Sequence, residues 1–274
     1  MKLKALIFDV DGTLADTEEV HRRAFNESFG QHDLDWQWSK PLYAELLRTT
    51  GGKERIAAYL ALLPLSADER AAVTAKIPDI HRVKTAIYAR LIAAGAVPLR
   101  DGVERLLDEA ARGGVRLAIA TTTTFENIRT LVETTLGRGA LSRFDVIGAG
   151  DDVVRKKPAP DVYEYVLKHL GLGPEHCVAV EDSANGLLAA KAARLVTVVT
   201  PSYWTHKEDF SSADLVVPHL GSAERPLVDE AARAAGNSVV GIREVDAVLA
   251  RSRLGAKRKG RSLTRRSGMR SLIR

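Results

Sequence analysis

Two textures alternate along most of the chain. The first is a set of short, nearly unbroken apolar runs: Leu6-Ile7-Phe8, Val115–Ala120, Phe144–Ile147, Cys177–Val180 and Leu195–Val199, with Asp214–Val217 as a sixth. Runs of this length without polar alternation predict strands buried on both faces. The second texture has apolar residues at helical spacing and predicts helices over Gly102–Arg112, Phe125–Leu136, Pro160–Leu170 and Leu187–Ala193. Gly113-Gly114 suits a helix end, and Pro160 suits a helix start, where a missing N–H does no harm. Strands alternating with helices imply an α/β fold, a Rossmann-like doubly wound parallel sheet with right-handed crossovers.

One long helical stretch interrupts this rhythm after the first strand. Asp16-Thr17-Glu18-Glu19 reads as a capped acidic helix start, followed by Val20, Ala24, Phe25 and Phe29 at helical spacing. Helical patterns continue at 41–48, 53–63, 67–75 and 78–94. The expected organisation is therefore an α/β core formed by residues 1–15 and 93–222, with an inserted all-α cap domain at 16–92. A C-terminal helical segment over 223–250 and a basic, disordered tail over 251–274 complete it.

Charge changes the picture once it is divided. The formal net charge is +5. Residues 251–274 hold ten Lys and Arg and no acid; taking those ten from 40 basic residues leaves 30 against 35 acidic, a formal −5. The basic excess thus belongs to the tail, and the folded body is not expected to bind nucleic acid. A single cysteine, Cys177, excludes an internal disulfide and fits a reducing compartment. The opening residues have no charged leader with an apolar segment and cleavage site, and no apolar run approaches membrane-spanning length. A cytoplasmic monomer without a membrane partner is expected.

The candidate chemistry lies at the ends of the strands. Asp9 and Asp11 close the first strand, Gly12 allows a sharp turn, Thr121 follows the second, and Glu181-Asp182 follow another. Open parallel sheets bind ligands beyond the carboxyl ends of their strands, so these residues are expected to converge on one cleft. Four carboxylates there repel one another and raise each other's pKa, which a divalent cation relieves. An all-oxygen set favours Mg²⁺. Thr121 offers a hydroxyl near a helix start. Lys157, or its neighbour Lys156, supplies a fixed positive charge. Such a clamp suits phosphoryl transfer, in which an aspartate can serve as nucleophile.

Four ordered stretches carry a family resemblance: D-V-D-G-T-L at 9–14, Thr121 after V-R-L-A-I-A, K-K-P-A-P-D at 156–161, and V-E-D-S-A-N-G-L-L-A-A at 180–190. Together they resemble the haloacid dehalogenase-like hydrolase superfamily. The resemblance implies that Asp9 attacks phosphorus to form an aspartyl phosphate. Asp11 protonates the leaving oxygen and then activates water. Asp9, the Asp11 backbone carbonyl, Asp182 and Glu181 hold Mg²⁺, while Thr121 and Lys157 bind the phosphoryl oxygens. The 16–92 insertion corresponds to that superfamily's mobile cap.

Further stretches are similar to the CbbY type, the xylulose-1,5-bisphosphate phosphatases: T-L-A-D-T-E-E-V-H-R-R-A-F-N at 13–26, T-T-G-G-K-E-R-I at 49–56 and A-T-T-T at 120–123. That likeness implies removal of the 1-phosphate from xylulose 1,5-bisphosphate, an inhibitory by-product of carbon fixation. A second phosphate needs its own anion site, and Thr50, Gly51, Gly52, Lys53 and Arg55 offer one at a glycine-rich helix start. Glu18 and His21, one turn apart, are expected to face sugar hydroxyls. Thr122 and Asn127 complete the expected substrate contacts. Asp16 stands where the family pattern leads one to expect Glu. A phosphosugar mutase of the β-phosphoglucomutase kind, or a phosphatase for another sugar phosphate, is the alternative.

Overall fold

The structure is a computed structural model and describes residues 3–95 and 97–254. Apart from 251–254, the basic tail lies outside the described residues. Six strands form one parallel sheet in the order β3-β2-β1-β4-β5-β6. They are β1 (Ala5–Phe8), β2 (Arg116–Ala120), β3 (Val146–Gly148), β4 (Cys177–Glu181), β5 (Val196–Val199) and β6 (Leu215–Val216). The chain builds β1, β2 and β3 outward on one side. It then crosses to lay β4, β5 and β6 on the other, so the order reverses at β1, where doubly wound sheets open a crevice.

The period of two along each strand divides the sheet's side chains between two cores. Leu6, Phe8, Leu117, Ile119, Val178 and Val180 face one apolar cluster. Ala5, Ile7, Ala118, Ala120, Cys177 and Ala179 face the other. The first face is covered by α5 (Val103–Gly113) and α6 (Phe125–Leu136). The second is covered by α7 (Asp161–Leu170) and α8 (Ala184–Ala192). Burial on both faces is why the strands read as unbroken apolar runs.

Between β1 and α5 lie α1 (Glu18–Gly30), α2 (Lys40–Leu46), α3 (Gly52–Leu62) and α4 (Ala67–Ala93). They enclose a third cluster around Phe25, Phe29, Trp38, Tyr43 and Ile80, which places Trp38 in an apolar core. The two helices expected at 67–75 and 78–94 are one 27-residue helix that runs through Pro78. Its start is fixed by a capping box of Ser66 and Glu69. Its buried face then presents Ile77, Ile80, Ile87, Tyr88 and Ile92. Burial of that stripe outweighs the single backbone hydrogen bond lost at the proline.

After β6 the chain forms α9 (Asp229–Ala235) and a further helix, α10, over 242–254. Leu227, Val240, Val245, Val248 and Leu249 join the same cluster as β1, and the Leu3 amide donates to Asp246 Oδ1 at 2.8 Å. This segment is therefore part of the core of the α/β layer. It also carries the helix four residues past the boundary expected at 250. Among the described residues no helix is long and apolar enough to cross a membrane.

Candidate active site

The β1 strand delivers Asp9 to the crevice. Its amide donates to the Val180 carbonyl at 3.0 Å, keeping it beside the end of β4. Gly12 then turns the chain with φ +84°. A side chain at this position would be strained, and its Cβ would overlap Asp182 Oδ2. Gly186 has the same relation to Glu181: a Cβ there would overlap that carboxylate. Two glycines thus make room for two acids, and Asp9, Glu181 and Asp182 bring carboxylate oxygens within 4.8 Å of one another.

Lys157 closes this group from the loop before α7. Its ammonium donates to Asp9 Oδ1 and Glu181 Oε1, each at 2.7 Å, and to the Ala120 carbonyl at 2.9 Å. Lys156 is tied instead to the Gly150 and Val153 carbonyls at the rim of the cleft, so Lys157 is the lysine that meets the acids. Burial disfavours the Lys157 charge, but Asp9 and Glu181 outweigh it and hold the pKa above the usual lysine value. Burial pushes Asp9 up to about 7 despite Lys157, with Glu181 adding to the rise. Burial, followed by Asp9 and Glu181, raises Asp182 well above its ordinary value. One ammonium among three buried acids leaves the group short of positive charge.

The loop after β2 forms the adjacent wall. The Thr121 amide is taken by the Gly148 carbonyl at 3.0 Å. Its Oγ1 accepts from the Thr123 amide at 3.3 Å, leaving the hydroxyl proton for a ligand. Thr121, Thr122, Thr123 and Thr124 all line the cleft. Thr124 caps α6. Asn127, expected at the substrate, is instead buried behind the loop, where its amide nitrogen donates to Thr123 Oγ1 at 2.8 Å.

Asp11 departs from its expected freedom to face a leaving group. Its Oδ1 accepts from Thr17 Oγ1 at 2.6 Å and lies 2.9 Å from His21 Nε2. Lys84 Nζ lies 2.5 Å from His21 Nδ1, and the ring stacks on Tyr88 with centroids 4.2 Å apart. If Nδ1 accepts from Lys84, Nε2 carries the proton given to Asp11. Both nitrogens of His21 are therefore engaged within the protein, and the buried ring lines the cleft beside Asp11 and Lys84. Burial pushes Asp11 up, but His21, Thr17 and Lys84 outweigh it and hold the carboxyl below its ordinary range.

The opposite wall comes from the helices. Glu18, Thr50, Gly51, Gly52, Lys53, Arg55, His81 and Lys84 line a cleft of about 170 Å³ together with Asp9, Asp11 and Asp182. Tyr43 donates to Glu18 Oε2 at 2.6 Å, and Arg55 Nη1 donates to the Tyr43 hydroxyl at 2.9 Å. Thr50 Oγ1 donates to the Lys157 carbonyl, and Lys53 lies 3.8 Å from Asp151, so this wall touches the α/β layer at its rim. His81 fills the space beside Gly52, and burial, then Lys84 and Lys53, lower its pKa to about 3. At neutral pH its ring is uncharged.

Several residues of the site escaped the sequence reading. Lys84 lies in mid-helix, and its only signal is a charge on the apolar stripe between Ile80 and Ile87. Burial lowers its pKa to about 7. Tyr163 donates to Glu181 Oε1 from α7. Thr205 donates to Asp182 Oδ2 at 3.2 Å, and Glu208 Oε2 accepts from the Ala184 amide at 2.6 Å, both from a loop after β5 that carries no motif.

The donor set fits a hard divalent cation. Glu181 Oε2 is buried without a hydrogen-bond partner, beside Asp9 and Asp182, whose protons burial has made harder to lose. No cysteine or histidine stands among them. An oxygen-only donor set of this kind suits a hard divalent ion rather than a soft one.

A family model described as haloacid dehalogenase-like hydrolase matches residues 3–194. The chain belongs to the haloacid dehalogenase-like hydrolases, and its reaction class is that of a phosphatase. It is 53% identical over 230 residues to Protein CbbY of Rhodobacter capsulatus, covering 84% of this chain and 99% of that one. It is 40% identical to a CBBY-like protein of Arabidopsis thaliana, covering 82% and 72% respectively. A crystal structure of a CbbY variant from Rhodobacter sphaeroides in complex with xylulose-(1,5)bisphosphate superposes with a TM-score of 0.74 at 46% identity. That match covers 81% of this chain and 98% of that one. Within the family the chain is thus similar to CbbY proteins.

Proposed function

We propose that this chain is a Mg²⁺-dependent sugar-bisphosphate phosphatase that removes the 1-phosphate of xylulose 1,5-bisphosphate. The observation that carries the reading is Asp9 held at 2.7 Å from buried Lys157, facing a helical wall that brings Lys53, Arg55 and Lys84 to the same cleft. One pole suits the transferring phosphoryl group and the other a second phosphate. The CbbY variant solved with xylulose-(1,5)bisphosphate supports the choice of substrate.

Asp9 attacks phosphorus and forms an aspartyl phosphate. Thr121 donates its free hydroxyl proton to a phosphoryl oxygen, while Lys157 offers charge from beneath. Asp9, Asp182 and the Asp11 backbone carbonyl would hold Mg²⁺, with Glu181 Oε2 behind them. The ion supplies further neutralisation of the phosphoryl charge. Thr17, His21 and Lys84, which hold the Asp11 pKa down, all lie on the helical side. Once Asp11 turns away from them, burial dominates and its pKa rises, so it gains a proton for the leaving oxygen. It later returns that role by deprotonating the hydrolytic water. In this reading α1–α4 act as the cap, closing over the sheet and excluding water from the aspartyl phosphate until the sugar has left.

The test is product analysis with purified protein, Mg²⁺ and xylulose 1,5-bisphosphate. Stoichiometric inorganic phosphate with xylulose 5-phosphate is expected, and Asp9→Asn is expected to abolish it. Isomerised sugar phosphate without phosphate release would establish the mutase alternative, and undiminished turnover by Asp9→Asn would remove the nucleophile assignment.

A further inference from the structure

The third apolar cluster draws its members from between Phe25 and Ile80, with one exception among the described residues: Trp204. Trp204 comes from the loop after β5, on the opposite side of the cleft. Its indole meets the Tyr43 ring edge to face, with centroids 5.4 Å apart and planes at 83°. This geometry is favourable for an aromatic pair.

The flanking residues of the same loop tie it to the acids. Thr205 Oγ1 accepts from the Ser202 amide at 2.9 Å and donates to Asp182 Oδ2 at 3.2 Å. Glu208 Oε2 accepts from the Ala184 amide at the start of α8. On the helical side, buried Tyr43 donates to Glu18 and accepts from Arg55, whose guanidinium lies over its ring at 5.2 Å. Glu18 and Arg55 both line the cleft. A continuous path of packed and hydrogen-bonded groups thus runs from Asp182 through Thr205 and Trp204 to Tyr43, and from there to Glu18 and Arg55.

We infer that Trp204 is a specificity-determining positioning residue: seated on Tyr43, it fixes the Glu18–Arg55 pair that reads the part of the substrate remote from the transferring phosphoryl group. The inference rests on the phosphatase reading above. Neither Trp204 nor Tyr43 is among the described residues that line the cleft, so a substrate too small to reach Glu18 and Arg55 does not depend on them. Binding energy gathered at the remote end is realised in the rate at the reacting centre.

The experiment compares kcat/KM for xylulose 1,5-bisphosphate and for p-nitrophenyl phosphate in the full chain with Mg²⁺. Trp204→Leu keeps apolar volume without ring geometry, Trp204→Phe keeps a ring, and Tyr43→Phe removes only the hydroxyl. Trp204→Leu and Tyr43→Phe are each expected to lose roughly tenfold on the bisphosphate, about 1.4 kcal/mol, and less than twofold on the small ester. Trp204→Phe is expected to recover most of the bisphosphate rate. In the double variant the two losses should overlap rather than multiply. Equal losses on both esters, or none on the bisphosphate, would overturn the inference while leaving the phosphatase reading standing. Absence of wild-type phosphate release from either ester would overturn both.

Discussion

Replacing Lys157 with methionine removes the one ammonium among three buried acids. Lys157 stands 2.7 Å from oxygens of Asp9 and Glu181, and both its side chain and theirs are nearly or wholly buried. Methionine fills the aliphatic space and leaves the carboxylates uncompensated. Unit charges about 4 Å apart interact by roughly 4 kcal/mol at an effective dielectric of 20, and breaking a buried pair by removing one partner costs about 3–5 kcal/mol. Thermal unfolding of Lys157→Met in a chelating buffer should show a loss of that order at pH 7.5. The sign of its pH dependence is fixed by Asp9. Its folded pKa is about 7 and its ordinary value 3.8, so between these values the folded state binds the extra proton. Stability therefore falls as pH rises through this window. Without Lys157 the Asp9 pKa rises further, so the variant's deficit should be small near pH 4 and widen as pH rises to 8. In phosphate-release assays kcat/KM should fall by about 10²–10³, the scale for removing one electrostatic stabiliser of a developing anion. A variant as stable as wild type at pH 7.5, or one retaining its kcat/KM, would refute the electrostatic role of Lys157.

Gly12→Ala places a Cβ against Asp182 at φ +84°. A stability loss of about 1–3 kcal/mol is expected for the backbone alone, together with at least a hundredfold loss of phosphate release. Lys84→Met should stabilise the protein at pH 6–7, since Lys84 has a folded pKa of about 7 against an ordinary 10.5. The unfolded chain binds the extra proton between those values, so stability rises with pH across them. The gain from the substitution should shrink toward pH 10, below a ceiling of about 5 kcal/mol at 1.4 kcal/mol per pH unit. Calorimetry in buffers of different ionisation enthalpy should also show proton uptake when the bisphosphate binds near pH 8, absent in Lys84→Met. Tyr163→Phe removes a donor to Glu181 and should lower stability by about 1–2 kcal/mol in chemical denaturation.

The chemistry at the strand ends was legible because a doubly wound sheet makes the position of each strand end a consequence of the pattern. Asp9, Thr121, Glu181 and Asp182 each follow an apolar run, and topology alone brings them together. The helix through Pro78 was not legible, because a local rule predicts a break where packing of Ile77, Ile80 and Ile87 prevails. Lys84 was hidden by the same long-range cause: its partners His21, Phe25 and Tyr88 include two residues from α1, some sixty positions earlier. The orientation of Asp11 was beyond reach for another reason. Its side chain is held by Thr17 and His21, whose positions beside it depend on how the first helix packs against the sheet. Ser202, Trp204, Thr205 and Glu208 lie in a loop whose role depends on what the fold sets beside it.

In the proposed reaction this cleft reads both ends of a bisphosphate. Initial rates of phosphate release with Mg²⁺, measured across xylulose 1,5-bisphosphate and a panel of sugar monophosphates, test it most directly. The 1,5-bisphosphate should give the highest kcat/KM, with release abolished by a chelator and restored by Mg²⁺. A higher kcat/KM on any monophosphate, or turnover that survives chelation, would contradict it.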